Sequence, residues 1–214
     1  MKQNVISFSF VFLWKRPLNN VPILDNKFCK DLFNDPYNTE VAVGPDGFLI
    51  TMITPQIPAP NVILGPVRVQ FISTELEQVL SVAEKIMEEL ARLKVSPLEV
   101  SAIGVNTEHE FLEMGETAQE YFLARFLKNG FETNSKFLLN MTDIKFTVKG
   151  SEDVSYNILI QPRANQLNGI YVNINTHRQV VDPKIPTVDY LKNVYKQTKS
   201  ELEEKIFPSL GLEG

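Results

Sequence analysis

Few side chains in this sequence are of a type and spacing that could make or break bonds. Cys29 is the single cysteine, and His109 and His177 are the two histidines, of 214 residues. Cys29 lies between Lys27 and Lys30, whose charges would favour a thiolate if the segment were exposed. The competing expectation is a small buried hydrophobe on the turn from Phe28 to Phe33, as free cysteines usually are. His109 sits in Thr107-Glu108-His109-Glu110-Phe111. Strand alternation puts it on one face with Ile103, Val105 and Phe111, and turns Glu108 and Glu110 the other way. An imidazole so placed could be tuned as a general base; a satisfied histidine at the margin of a core is the plainer expectation. The glutamates, with Glu113 and Glu116 nearby, could bind a hard cation. They lack the Asp/Asn-Gly pattern of a calcium loop, so a solvated strand end is expected, with no metal and no cofactor.

Catalytic motifs that depend on local spacing are missing. Neither GxGxxG nor GxxxxGK[ST] occurs, and there is no GxSxG or HExxH. One cysteine excludes both an intramolecular disulfide and a cysteine zinc cage. The balance of 21 basic against 26 acidic residues leaves a net charge of -5, with no basic cluster longer than Lys15-Arg16. That argues against nucleic acid as a partner, because phosphate binding needs concentrated positive charge. The apolar run Val5 to Trp14 is too short to cross a bilayer and lacks a small-x-small cleavage pattern. It is expected as a first buried strand, and the chain as a cytoplasmic protein with no membrane partner.

Two stretches point to binding. Tyr171, Asn173, Asn175 and His177 alternate with Ile170, Val172, Ile174 and Thr176, and Asn157, Gln161 and Arg163 stand in the opposite register to Tyr156, Ile158 and Ile160. If both polar rows share a face, they form a platform for a polar ligand or a partner's edge strand. Arg163 could there grip a carboxylate or phosphate. The competing expectation is the ordinary wet face of an antiparallel sheet, although Asn and Gln are poor strand formers. The second stretch is the proline-rich connection Pro55 to Pro66. Its apolar residues Ile57, Val62, Ile63 and Leu64 mark it as an interaction arm or swapped loop, or as chain folded back over the core.

The elements that must position these residues are legible from periodicity. A strand over Val5–Trp14 is followed by an irregular stretch in which Lys27 to Phe33 makes one or two helical turns. Val41–Val43 and Phe48–Ile53 flank Gly44-Pro45-Asp46-Gly47 as a hairpin, and Val67–Phe71 forms a further strand. A long amphipathic helix begins at Ser73-Thr74, with Thr74 and Glu77 as a capping box, and stops before Ser96-Pro97. Val100–Phe111 is a strand. A short helix starts at a second capping box, Thr117 with Glu120, and ends at Asn129-Gly130. Strands over Lys136–Lys149, Val154–Gln161 and Gly169–Gln179 form a meander, and a last helix runs from Thr187 to about Phe207, ended by Pro208.

These elements predict an α+β fold in a single domain of residues 1–214. It has a mainly antiparallel sheet, two long amphipathic helices and one short one. Three strands and then a long helix occur twice, so halves 1–95 and 131–214 are expected to share one core, linked by the strand and short helix of 96–130. The leading functional expectation is a non-catalytic cytoplasmic protein-interaction module that also pairs with itself as a homodimer. The alternative is a small-molecule binder or enzyme, its pocket formed on the polar sheet face around His177 and Arg163 with Tyr171, Asn173 and Asn175.

Overall fold

Alternating aromatic residues build the first element. β1 (Lys2–Trp14) buries Phe10, Phe12 and Trp14 on one face, and the Trp14 indole N–H donates to Gly65 O at 3.2 Å. The structure, a computed structural model, describes residues 1–44, 47–95, 98–126, 143–180 and 186–212. Within them the chain continues through α1 (Asn26–Asp31), capped by Asp25, whose carboxylate accepts from the backbone of Lys27 and Phe28. β2 (Thr39–Gly44) and β3 (Gly47–Met52) form the expected hairpin; its central Pro45-Asp46 lies outside the described residues. Gly47 has φ +124, and a Cβ there would stand 2.0 Å from Leu64 O, so only glycine fits.

The proline-rich connection is not a free arm. Asn61–Leu64 is a strand, β4, paired with β3 and with β5 (Arg68–Ser73). Val62 and Leu64 are wholly buried, so neither can meet a partner, and Ile63 is held in the sheet. Ile57 alone of the four is fully on the surface, at 87% exposure. The prolines flank the strand rather than interrupt it, which is where a residue without an N–H can sit.

α2 (Leu76–Arg92) buries Val79, Leu80, Ala83, Ile86 and Leu90. Its start differs from the expected Thr74 box. Glu75 is the N-cap and makes no side-chain cap; instead Ser73 Oγ accepts from Glu75 N at 3.1 Å and donates to Gln78 Oε1. β6 (Val100–Leu112) leads to α3 (Ala118–Phe126). Here the capping box is reciprocal as expected: Glu120 N donates to Thr117 Oγ1 at 3.2 Å and Thr117 N to Glu120 Oε2 at 2.8 Å. Ser96-Pro97, the expected helix end at Asn129-Gly130 and the strand start at 136–142 lie outside the described residues. β7 (Ile144–Ser151), β8 (Val154–Pro162) and β9 (Ile170–Gln179) form the meander. α4 (Val188–Glu201) begins at its Thr187 cap. Pro208 does not stop this helix. A π-helical segment, Leu202–Ile206, precedes it, and the chain turns helically through Phe207–Ser209. A wider turn accommodates a ring that would clash with the carbonyl one turn back in a regular helix.

The strands form one antiparallel sheet of nine in the order β2-β3-β4-β5-β1-β6-β9-β8-β7. β6, expected only as a link between halves, lies next to β1, the central strand. On each side of the β1–β6 seam the neighbouring strand is the one that runs into a long helix, β5 into α2 and β9 into α4. One apolar row crosses the whole sheet in register: Val41, Ile50, Val62, Phe71, Phe10, Val105, Thr176, Tyr156 and Val148. The helices pack on this face in two clusters. Residues of α1 and α2 join β1–β5, while α3 and the end of the last helix join β8 and β9. The last helix spans both, with Leu191 and Val194 in the first cluster and Leu202 and Ile206 in the second. None of the described helices is long and apolar enough to cross a membrane.

Candidate functional site

Strand alternation turns every second residue away from the helices, onto a face that no described helix covers. Strands about 4.8 Å apart make this open face about 40 Å wide. One row across it is almost wholly polar: Glu40, Thr51, Asn61, Ile72, Ser9, Asn106, Asn175, Asn157 and Thr147. Asn106, Asn175 and Asn157 stand side by side on β6, β9 and β8. Thr147 Oγ1 donates to Asn157 Oδ1 at 2.7 Å. The side-chain amide oxygens of Asn61 and Asn106 are buried and accept no hydrogen bond from any described residue. Ser7 and Ser9 are only 4% and 7% exposed although they face away from the helices. Gln70 reaches over Ser9, its Nε2 donating to Ser9 Oγ at 3.3 Å. The seam between β1 and β6 is therefore the floor of a shallow trough.

The next row toward the other end carries Glu108, Asn173, Leu159 and Lys145. Asn173 Nδ2 donates to Glu108 Oε1 and to the Tyr171 hydroxyl, each at 3.3 Å. Glu110 is held by Arg163 at 3.2 Å and by Asn4 at 3.4 Å. Between β7 and β9 the face dips into an open depression of about 380 Å³, lined by Lys145, Thr147, Asn157, Leu159, Asn173 and Asn175.

The polar rows expected from the sequence thus do share a face, opposite Asn106, Glu108 and Glu110 of β6. They do not converge on one point. Tyr171 and His177 are six residues apart on β9, about 20 Å along a strand, and Arg163 lies at the Tyr171 end, committed to Glu110. His177 stands opposite Gly104 and Ser155. A pocket gripping one small molecule between His177 and Arg163 is not what this geometry builds. The site residues missed from sequence, Asn61, Ser9, Asn106 and Thr147, lie on strands whose neighbours local alternation does not reveal. The one signal available was their own polar register, Ser7 and Ser9 within an aromatic strand above all.

Two of the groups that could have done covalent or acid–base chemistry, Cys29 and His109, are buried on the helix-covered side. Cys29 is wholly buried; burial first, then the charges of Asp25 and Glu89, push its thiol up to about 11. That is the reverse of an activated thiolate. His109 is 5% exposed. Gln3 Nε2 donates to its Nδ1 at 3.2 Å, so Nε2 carries the proton and donates to Thr107 Oγ1 at 2.9 Å. The ring packs edge-on to Phe207 at 5.0 Å, and burial drops its pKa to about 4. The cavity beside it is about 30 Å³, room for a water and not for a substrate. Glu116 pairs with Arg125 at 2.6 Å, and no three metal-ligating side chains come together among the described residues.

No family model matches this chain. The curated proteins likewise contain none whose sequence matches it significantly.

Proposed function

We propose that the chain is a non-catalytic cytoplasmic protein-interaction module that receives its partner along the polar row of the open sheet face. The observation that carries this reading is the row of amides and hydroxyls, Asn61, Ser9, Asn106, Asn175, Asn157 and Thr147, in register on a face that no described helix covers. A partner's peptide groups and amide side chains match this row over a width no small molecule spans. Glu108 and Glu110 on β6, beside the trough, disfavour a phosphate backbone there. The placement of Cys29 and His109 in the apolar core supports binding rather than catalysis, and a single buried thiol suits a reducing compartment.

The test is Asn157→Lys with Asn175→Lys, two exposed positions at which the fold tolerates a long side chain. Affinity capture is compared quantitatively between wild type and this variant, with circular dichroism confirming that both are folded. The expected result is loss of the captured partner by the variant, and crosslinks in the wild-type complex that map to β6, β8 and β9. An unchanged set of captured proteins overturns the reading. The depression over Asn157, Asn173 and Asn175 favours a second reading, a small polar ligand. Native mass spectrometry would then detect a non-covalent adduct that disappears on denaturation and with the same variant.

A further inference from the structure

The edge of the sheet at β2 suits a second copy of this chain, and we infer that two copies join there edge to edge. Met52 N donates to Pro60 O, toward β4, so the pair Thr39–Met52 is not hydrogen-bonded, and alternation then turns the N–H and C=O of Thr39, Val41 and Val43 away from β3. No described residue accepts from the outward N–H groups of Val41 and Val43. Natural sheets protect such an edge with lysines, prolines or bulges. β2 reads Thr-Glu-Val-Ala-Val-Gly, has no bulge among its pairs, and carries one charge.

Its surroundings are unusually apolar for a surface. Tyr37 is 94% exposed, Val43 69%, Ile53 53% and Leu49 41%. Tyr37 leads into β2, Ile53 N donates to Asn38 O, and Leu49 is paired with Ala42, so these side chains flank the edge at both ends. Strand pairing alone buries too little for a stable dimer, which needs about 1,200 Å² or more; this apolar margin supplies the additional area.

The sequence of β2 favours itself as the occupant. In an antiparallel pair centred on Ala42, Val41 exchanges backbone bonds with Val43 of the second copy, and Glu40 stands opposite Gly44. The single carboxylate never meets its twin, and the contact is closed by a two-fold axis. This surface is remote from the Asn106–Asn175–Asn157 row, so the inference stands or falls separately from the proposed function.

The experiment is native mass spectrometry and sedimentation on the full chain and on Val43→Pro. Proline at 43 removes an outward N–H and no β2–β3 bond. Wild type is expected at the mass of two chains, with slow amide exchange at Val41 and Val43; Val43→Pro should be at least about tenfold weaker in self-association, and Asn157→Lys/Asn175→Lys unchanged. Should Val43→Pro fail to fold, Val43→Lys, at an exposed side chain, reads the same loss. A monomeric wild type, or a dimer that persists in a folded Val43 variant, overturns the inference.

Discussion

The two flanks of the sheet are built to one order of strands and helix but differ in what they bury. On the β1–β5 side the middle of the covered face is apolar, with Phe12 and Phe71 edge-on at 5.3 Å and Ile50, Val62 and Leu64 wholly buried; its buried polar groups are Thr39 and Ser73 at strand ends and Glu89 on α2. On the β6–β9 side it contains His109, Thr107, Thr176 and Thr198, all buried. There too Arg178 and the Tyr156 hydroxyl both meet Glu201, and Arg178 Nε reaches Thr198 Oγ1 at 3.3 Å. The open face changes in the same direction. One row reads Ala42, Leu49, Ile63, Gln70 and Val11 as far as β1, then Gly104, His177, Ser155 and Lys149. The first flank behaves as a scaffold stabilised by volume, and the second spends part of its stability on polar groups. Retained polarity with a stability cost is what a binding surface requires.

The largest expected effect breaks the scaffold side. Phe71→Ala removes a wholly buried ring that touches Phe12, and should cost about 4 kcal/mol in urea unfolding. A loss below about 1 kcal/mol would mean that the first flank is not the close-packed element this contrast makes it.

The next effect separates the flanks by pH. Burial holds His109 at about 4, whereas the unfolded chain titrates it near 6.5. As the pH falls from about 6.5 to about 4 the unfolded chain takes up a proton that the folded chain refuses. The stability this gives is fully present above about 6.5 and is lost through that window, about 2 kcal/mol of it by pH 5. His109→Phe removes that part of the slope. Denaturant titrations at pH 7 and pH 5 check it, and an unaltered slope in the variant would mean that the imidazole is not buried neutral.

Much of this organisation is legible in the sequence, for reasons that are local. The Thr117–Glu120 box, the Gly44–Gly47 hairpin and the alternation of β8 and β9 are short-range patterns, and each is present in the structure at the expected residues. What is not legible depends on neighbours distant in sequence. β4 is four residues between prolines, too short for periodicity to declare, and becomes a strand only because β3 and β5 offer ladders on both sides. Asn106 is one polar residue in a mixed strand until β9 brings Asn175 beside it. The same limit applies to His109: alternation gives its face, and only packing by Phe207 from a helix nearly a hundred residues on gives its burial.

The smallest effect sharpens the contrast within the polar flank itself. Two buried oxygens there lack a partner among the described residues, Thr176 Oγ1 on the covered face and Asn106 Oδ1 on the open one. Replacing either residue by valine removes the unpaired group and suits a strand, so Thr176→Val and Asn106→Val should each stabilise the fold by about 1 kcal/mol. Their consequences for binding should diverge. Thr176 faces α4 and the core, where no partner reaches, so its variant captures the wild-type partner unchanged. Asn106 faces the trough, so the stability gained there is accompanied by loss of capture. If both variants bind alike, Asn106 contributes to packing as Thr176 does, and the polar row loses a member that would distinguish a binding surface from a wet sheet.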